Sequence, residues 1–197
     1  MKTSKRKRAL KFRLKLKKIT LKDTGCEDTA DSLSPEPYLE KPFVPLGKFN
    51  QSKMYQILPN LFMSGFSSAK SLKAIKENQI SHIINLTSQH CENPHQEIIE
   101  YSNFRLSDNS SFNLLGQLSN ITQEIHNKIQ IGKKVLVHCK MGVSRAPSIV
   151  IAYLILKRGM TYNSGFDYVL GINPKIAPNL GYLMQLQNLE TKENIFN

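Results

Sequence analysis

A cysteine and an arginine stand six positions apart in the stretch HCKMGVSR, residues 138–145. The apolar residues 135–137 before Cys139 are typical of a buried strand, and the apolar stretch after Arg145 is typical of a helix. Between them, Gly142 permits a close backbone approach. A loop that curls into a helix start turns backbone N–H groups toward an anion, and a guanidinium grips two oxygens of a tetrahedral oxyanion. The pattern predicts a phosphate-binding loop.

Cys139 lies at the start of this loop, where the backbone N–H groups and the arginine would stabilise negative charge on its sulfur. Helix N-termini and nearby cations stabilise thiolates, so we expect Cys139 to react as a thiolate nucleophile toward phosphorus. An isolated buried cysteine is more simply a small hydrophobe, but that interpretation leaves the glycine and the arginine unexplained. His138 either hydrogen-bonds the loop or simply packs beneath the strand, and the sequence leaves both open.

Strand and helix patterns alternate beyond the first fifty residues. Residues 80–87, ISHIINLT, suit a buried strand. One helical face is predicted by five apolar residues spaced three or four apart, Leu114, Leu118, Ile121, Ile125 and Ile129. The alternation predicts an α/β fold with a central, mostly parallel, twisted sheet flanked by helices. We expect a single catalytic domain over residues 51–194, with its site at the carboxyl ends of the strands.

The amino-terminal segment has a different composition. Residues 1–22 hold eleven Lys and Arg and no Asp or Glu. Of 27 basic residues in the chain, 16 therefore remain for residues 23–197, against 15 acidic ones, so nearly all of the net charge of +12 belongs to the segment. Four prolines between residues 35 and 45 argue against helix and central strand. We expect residues 1–50 to form a basic, disordered tail and linker.

Cysteine usage and hydropathy narrow the class of protein. Three cysteines cannot pair evenly, which predicts free thiols in a reducing compartment, the cytoplasm or the nucleus. The chain has no zinc-type Cys/His spacing, so we expect no structural metal and no cofactor. No apolar run approaches the ~20 residues of a membrane span, and the lysine-rich start lacks the apolar core of a secretory signal. Cys91, or Cys26, could form a protective disulfide with Cys139, although idle thiols are the simpler interpretation.

The stretch HCKMGVSR matches the HCxxxxxR signature of the cysteine-dependent protein tyrosine phosphatase superfamily. LPNLFMSG, ISHIINLT, VLVHCKMGVSRAPSIVIAYLI and PNLGYLMQLQNLE resemble the dual-specificity phosphatases in the same order, over about residues 54–190. The resemblance implies hydrolysis of phosphotyrosine and phosphoserine/phosphothreonine in proteins through a cysteinyl-phosphate. It implies that Cys139 attacks and that the phosphoryl oxygens are held by Arg145 and the loop residues Lys140, Met141, Gly142, Val143 and Ser144.

The resemblance also assigns two more distant residues. Asp108 lies 31 residues before Cys139, where the family places the aspartate that protonates the leaving group. A turn aspartate, or the N-cap of the next helix, is the alternative. Asn179 resembles the asparagine that braces the phosphate loop from a C-terminal helix, and an ordinary N-cap is again the alternative.

Ala146 departs from the family pattern. Most relatives carry Ser or Thr directly after the arginine, and its hydroxyl stabilises the thiolate that leaves the phospho-enzyme. Losing a hydrogen bond to a charged group is worth roughly 1.5–3 kcal/mol, which would slow hydrolysis of the intermediate roughly ten- to a hundredfold. Ser144 and Ser148 are candidates to substitute. The alternative to an enzyme is therefore a low-turnover phosphoprotein-binding or scaffold member.

Substrate class and partners are less constrained. Phosphoinositide and RNA-end phosphatases share the signature, but Lys140 is the only basic residue of the loop before Arg145, and the neutral body argues against nucleic acid as a partner. In residues 1–22, KRKRALKFRLKL resembles segments that dock in the acidic groove of mitogen-activated protein kinases. A nuclear localisation signal or a solvated tail are the alternatives.

Overall fold

The computed structural model describes residues 53–88 and 93–193, all within one structural unit, residues 47–197. The predictions made for residues 1–50, including Cys26, and for Cys91 lie outside the described residues. The strands are β1 (Tyr55–Leu58), β2 (Leu61–Gly65), β3 (His82–Asn85), β4 (Glu100–Asn103) and β5 (Val135–Cys139). The helices are α1 (Phe66–Ala69), α2 (Leu72–Glu77), α3 (Leu115–Gln130), α4 (Arg145–Arg158), α5 (Tyr162–Ile172) and α6 (Leu180–Glu193).

The five strands form one sheet in the order β1-β2-β5-β3-β4. Only the β1–β2 pair is antiparallel, and the other three pairs are parallel. The predicted mostly parallel sheet is therefore confirmed. β5 lies at its centre and is buried along its whole length, as a strand covered on both faces must be. Gly65 of β2 is paired with Cys139, so the carboxyl end of β2 lies beside the cysteine.

Side chains of β5 alternate between two hydrophobic clusters. Val135, Val137 and Cys139 belong to the larger cluster, which contains α4, whereas Leu136 belongs to a smaller cluster with residues of α1 and α2. The period of two along a strand explains the alternation. It also places the Cys139 side chain on the face of the sheet that α4 covers.

Helix α4 forms the middle of the larger cluster. Its residues from Arg145 to Ile155 are all buried, and α3, α5 and α6 pack against it. The predicted apolar face of α3 is confirmed, since Leu118, Ile121 and Ile125 are buried. Helix α4 ends at Arg158 and is followed by Gly159, whose φ of 64° is left-handed, a common way for a helix to end.

The described residues show no membrane-spanning helix and no clustered metal ligands. None of their helices is long and apolar enough to cross a membrane. Over the same residues, no group of three or more His, Cys, Asp or Glu side chains is arranged to hold a metal ion.

Candidate active site

The connection between β5 and α4 curls around the sulfur of Cys139. The side chain is buried, with 1% of the residue exposed, and the backbone N–H of Gly142 donates to Sγ at 3.2 Å. Gly142 has a φ of 71°, and a Cβ there would lie 2.6 Å from the Gly65 nitrogen and 2.8 Å from the Ser64 carbonyl carbon. Only glycine satisfies both the left-handed conformation and this close approach.

The loop is held from two sides. On one side, the N–H of Phe66 donates to the Lys140 carbonyl at 3.2 Å. On the other, the N–H of Ala177 donates to the Val143 carbonyl at 2.7 Å. Both halves of the loop are thus tied to neighbouring segments before any ligand arrives, which is the preorganisation that transition-state stabilisation requires.

Arg145 is buried with hydrogen-bonding capacity left over. One terminal nitrogen, Nη1, donates to the Leu106 carbonyl at 3.4 Å. Its Nε lies 3.6 Å from Asp108 Oδ2 and has no hydrogen-bond partner among the described residues. A buried donor without a partner costs about 1–3 kcal/mol. A bound oxyanion would supply the missing acceptor, as the sequence predicts for this arginine.

Asp108 is brought to the same place by tertiary structure. Its Oδ1 accepts from the Ser144 hydroxyl at 2.6 Å and from Asn179 Nδ2 at 3.0 Å. The side chain is 39% exposed, so a substrate can reach it. The N-cap of α3 is Leu114, and Asp108 therefore does not cap that helix. The structure brings together Cys139 and the three predicted residues Asp108, Arg145 and Asn179.

Asn179 contacts the start of α6, the phosphate loop and Asp108. Its Oδ1 accepts from the Tyr182 N–H at 2.9 Å, as a helix cap does, while its Nδ2 binds Asp108 and its own N–H donates to Ser144 Oγ at 3.3 Å. Tyr182 supports the segment that carries Asp108, because its hydroxyl donates to the Ser107 carbonyl. Burial, with a smaller effect of the Asp108 carboxylate, raises the pKa of Tyr182 to about 12, so the hydroxyl keeps its proton at neutral pH.

His138 is buried beside Phe66 and also contacts the backbone of Cys139. The residue is 1% exposed, and its ring centroid lies 6.0 Å from that of Phe66. Its Nδ1 lies 3.5 Å from the carbonyl of the adjacent Cys139, the limit of a hydrogen bond. Burial lowers the pKa of His138 to about 4, so the ring is neutral at pH 7.

Neither nearby serine replaces the hydroxyl missing at Ala146. Ala146 is fully buried in the first turn of α4. The Ser148 hydroxyl donates to the Ser144 carbonyl at 2.8 Å, and the Ser144 hydroxyl donates to Asp108. Within the described residues, the Gly142 N–H is thus the one hydrogen-bond donor to the Cys139 sulfur.

Sequence reasoning missed the contacts that hold the Asp108 segment against α6. A Cβ at Gly181 would overlap the carbonyl oxygen of Ser110. Further along, Gln185 Oε1 accepts from the N–H groups of Leu114 and Leu115 at 2.7 and 3.1 Å. A glycine inside a helical pattern is a sign of close packing, and this signal could have identified Gly181. Nothing local marks Gln185.

A mostly parallel sheet that presents a cysteine, an anion-binding loop and an arginine at one strand end is typical of a cysteine-dependent phosphatase domain. Residues 61–192 match the family model described as the dual specificity phosphatase, catalytic domain. The match covers well over half of the chain, which therefore belongs to the dual-specificity phosphatases of the protein tyrosine phosphatase superfamily.

Some similar proteins are named as phosphatases and others as interacting proteins. The chain is 33% identical over 140 residues to protein phosphatase Slingshot homolog 3 of Rattus norvegicus, covering 71% of this chain and 21% of that protein. It is 34% identical over 144 residues to the serine/threonine/tyrosine-interacting protein of Homo sapiens, covering 70% and 65%. The crystal structure of the latter, described as tyrosine phosphatase-like, superposes with a TM-score of 0.67 at 32% identity, covering 73% of this chain and 99% of that one. The chain thus spans only about a fifth of the Slingshot relative.

Proposed function

We propose that this domain hydrolyses phosphotyrosine and phosphoserine/phosphothreonine in proteins through a cysteinyl-phosphate intermediate. One observation carries the proposal. The buried sulfur of Cys139 and the Arg145 Nε, which has no hydrogen-bond partner among the described residues, flank one short loop, and Asp108 Oδ2 is 3.6 Å from that nitrogen. A nucleophile, an anion-binding donor and a proton donor are the three groups that phosphate-ester cleavage requires.

Each group has one role in the first step. The Cys139 thiolate attacks phosphorus, and the bond from phosphorus to the ester oxygen breaks as the sulfur–phosphorus bond forms. Asp108, protonated, gives its proton to the departing oxygen. Arg145 and the Gly142 N–H stabilise charge within the loop. The products are the dephosphorylated side chain, cysteinyl-phosphate and an Asp108 carboxylate.

In the second step Asp108 takes a proton from water, and the water oxygen attacks phosphorus. Inorganic phosphate forms and the Cys139 thiolate leaves. The sulfur then regains negative charge, and the backbone N–H of Gly142 is its one donor within the part of the chain that the structure describes. Because Ala146 contributes no hydroxyl and both nearby serines are engaged, we infer that this step limits turnover.

The test is rapid mixing of the full chain with a small aryl phosphate. We expect a burst of phenol followed by slow turnover in the wild type, and no burst in Cys139→Ser. Asp108→Ala should slow the burst by roughly 10²–10⁴-fold, the usual effect of losing a general acid. Ala146→Ser should raise the steady-state rate about tenfold without changing the burst.

Ala152→Ser is the matched control for Ala146→Ser. Ala152 is equally buried in the same helix, six residues further on, so its substitution adds the same hydroxyl away from the sulfur. Equal acceleration in both variants would refute the role of Ala146. Absence of burst and turnover in the wild type would refute the enzyme proposal.

The second candidate is a phosphoprotein-binding or scaffold protein. Ala146 is the observation that favours it, together with the similarity to a protein named as an interacting protein. Phosphopeptide binding by the wild type, measured by fluorescence anisotropy, would support this candidate only if the burst is absent. Phosphoinositide and 5′-phosphorylated RNA substrates belong in the same assay, and preferential hydrolysis of either would refute protein specificity.

For the segment 1–22 we propose docking to mitogen-activated protein kinases, with localisation to the cytoplasm, the nucleus or both. The support is its sequence, eleven basic residues beside alternating Leu10, Phe12, Leu14 and Leu16. Deletion of the segment should abolish kinase binding in a pull-down with purified proteins. Unchanged kinase binding together with loss of nuclear accumulation of a fluorescent fusion would assign the segment to nuclear import instead.

A further inference from the structure

Large apolar side chains are exposed on both elements that build the phosphate site. Met141 in the loop is 59% exposed, and Leu180 and Met184 of α6 are 53% and 57% exposed. We call these three residues the apolar rim. The other exposed large apolar residues of the described part, Ile98 and Ile131, precede β4 and β5 and so belong to the amino ends of the strands.

The residues of the apolar rim are chain neighbours, or lie within one helical turn, of residues that hydrogen-bond the reacting groups. Leu180 follows Asn179, whose amide donates to Asp108, and Met184 lies one helical turn after Leu180 on the same side of α6. Met141 precedes Gly142, whose N–H donates to the Cys139 sulfur. A phosphorylated residue that places its phosphorus at Cys139 and its ester oxygen at Asp108 therefore passes between these two elements.

The α6 part of the rim offers no charge to a substrate. Residues 180–189 contain no Asp, Glu, Lys or Arg. Covering Leu180 and Met184 with apolar side chains removes apolar surface from water, which is favourable, whereas a carboxylate placed against them loses hydration without gaining a partner. Exposed apolar patches beside a site mark contact surfaces.

We propose that the apolar rim is a specificity determinant that selects phosphorylated segments with Leu, Ile, Val, Met or Phe next to the phospho-residue over segments with Asp or Glu there. The inference rests on the proposed function, because it assigns the substrate class of the same site. The occupant of the rim is the substrate chain on either side of the phosphorylated residue.

The primary test measures binding, so that it does not depend on turnover. Fluorescein-labelled phosphotyrosine peptides with Leu or Glu at the positions before and after the phosphotyrosine would be titrated with the full chain carrying Cys139→Ser. We expect the Leu peptide to bind about tenfold more tightly. Adding Leu180→Ser and Met184→Ser should remove most of that preference by weakening binding of the Leu peptide alone.

Ile98→Ser and Ile131→Ser are the matched controls, since they remove equally exposed apolar side chains at the other end of the sheet. Both should leave the peptide preference unchanged. In the Cys139 background, Leu180→Ser with Met184→Ser should leave hydrolysis of the small aryl phosphate unchanged and lower kcat/KM for the Leu peptide about tenfold.

Three results would overturn the proposal. They are equal binding of the two peptides, an equal loss of both peptides in the rim variant, or a dimer of the wild-type chain that Leu180→Ser converts to monomer. A failure of the proposed function is distinguishable, because it would show as no burst with the aryl phosphate while Cys139→Ser still prefers the Leu peptide.

Discussion

The two ends of the central sheet differ in how many hydrogen-bond partners their buried polar groups have. At the carboxyl end, the Cys139 sulfur has one hydrogen-bond donor and the Arg145 Nε has no partner within the described residues. At the amino end, the buried His82 has partners on both ring nitrogens, 3.3 Å from Glu100 Oε2 and 3.0 Å from Ser102 Oγ.

The charged side chains at the amino end are also paired with one another. Glu100 binds Lys133 at 2.8 Å and Lys128 at 3.3 Å in addition to His82. Hydrogen bonds from Lys133, then from Lys128 and His82, lower the pKa of Glu100 to about 2. Burial lowers the pKa of His82, and the hydrogen bond to Glu100 opposes this effect.

The two ends of the sheet therefore contribute differently: the carboxyl end can bind a ligand, and the amino end stabilises the fold. Charges at the amino end are neutralised within the chain, so they offer little to a ligand. Donors at the carboxyl end are rigidly held yet incompletely used, which costs folding free energy and leaves a site that an oxyanion can complete. We therefore expect substitutions at the carboxyl end to change activity and those at the amino end to change stability.

Of the substitutions that test this contrast between the two ends of the sheet, Gly142→Ala is expected to have the largest effect. The new Cβ would collide with backbone atoms of Gly65 and Ser64, so the loop must open and its N–H must leave the Cys139 sulfur. Loss of oxyanion-type stabilisation of this kind lowers kcat by about 10²–10³-fold. Gly132→Ala is the control, since Gly132 has a similar φ of 79° but open space around its Cβ position. An equal loss of aryl phosphatase activity in both variants would show that loop geometry is irrelevant.

A smaller loss, about a hundredfold, is expected for Gly181→Ala. The methyl group would displace Ser110 and with it the segment that carries Asp108. The loss should be greater for an aryl phosphate with a poor leaving group than for p-nitrophenyl phosphate, because the poorer leaving group depends more strongly on protonation. Gly165→Ala, in a helix where the Cβ would make ordinary contacts of 3.7 Å or more, should leave both rates unchanged, and a uniform loss in Gly181→Ala would argue against displacement of the acid.

The third effect concerns pH and stability. In the unfolded chain His138 takes up a proton near pH 6.5, whereas in the folded protein its pKa is about 4. The unfolded state therefore binds more protons between these values, and the free energy of unfolding should fall as pH decreases from about 6.5 to about 4. One histidine contributes at most about 1.4 kcal/mol per pH unit.

Urea denaturation at several pH values measures this dependence. His138→Gln should be less stable at pH 7 but show a shallower decrease toward pH 4, with the remaining slope due in part to His82. A His138→Gln slope equal to that of the wild type would contradict the buried, neutral ring.

The smallest effect is expected for Glu100→Gln, at the amino end. Removing the carboxylate leaves Lys128 and Lys133 without their shared acceptor, so the melting temperature at pH 7 should fall slightly, and less so in high salt. The pKa of Glu100 is lowered, so its stabilising effect is present above about pH 4.5 and is lost as pH falls toward 2. Activity should not change. Glu77→Gln, which disrupts only an exposed pair 3.9 Å from Lys73, is the control, and an equal fall in melting temperature would refute the network.

Local patterns were sufficient for the fold and for the centre of the site. The mostly parallel sheet, the apolar face of α3 and the β5–loop–α4 unit all follow from periodicity over short stretches, because the side-chain period of a strand or helix is a property of neighbouring residues. Cys139 and Arg145 are six residues apart, so the strand end and helix start alone bring them into one loop.

The remaining parts of the site depend on residues far apart in the chain. Asp108 and Asn179 are 71 residues apart and meet through a 3.0 Å hydrogen bond, and periodicity contains no information about such a contact. Resemblance to a family suggested both residues. The contact of Gly181 with Ser110 and the hydrogen bonds of Gln185 had no counterpart in the sequence analysis.

The sequence by itself determined that the chain forms an α/β domain with a cysteine and an arginine around an anion-binding loop. These features depend on patterns of residues that are close together in the chain. Only the tertiary structure decided which hydroxyl groups are free, because a hydroxyl's partner is set by packing between distant segments. Ser144 is bound to Asp108 and Ser148 to a backbone carbonyl. The consequence of Ala146, a sulfur with a single donor among the described residues, therefore became visible only in three dimensions.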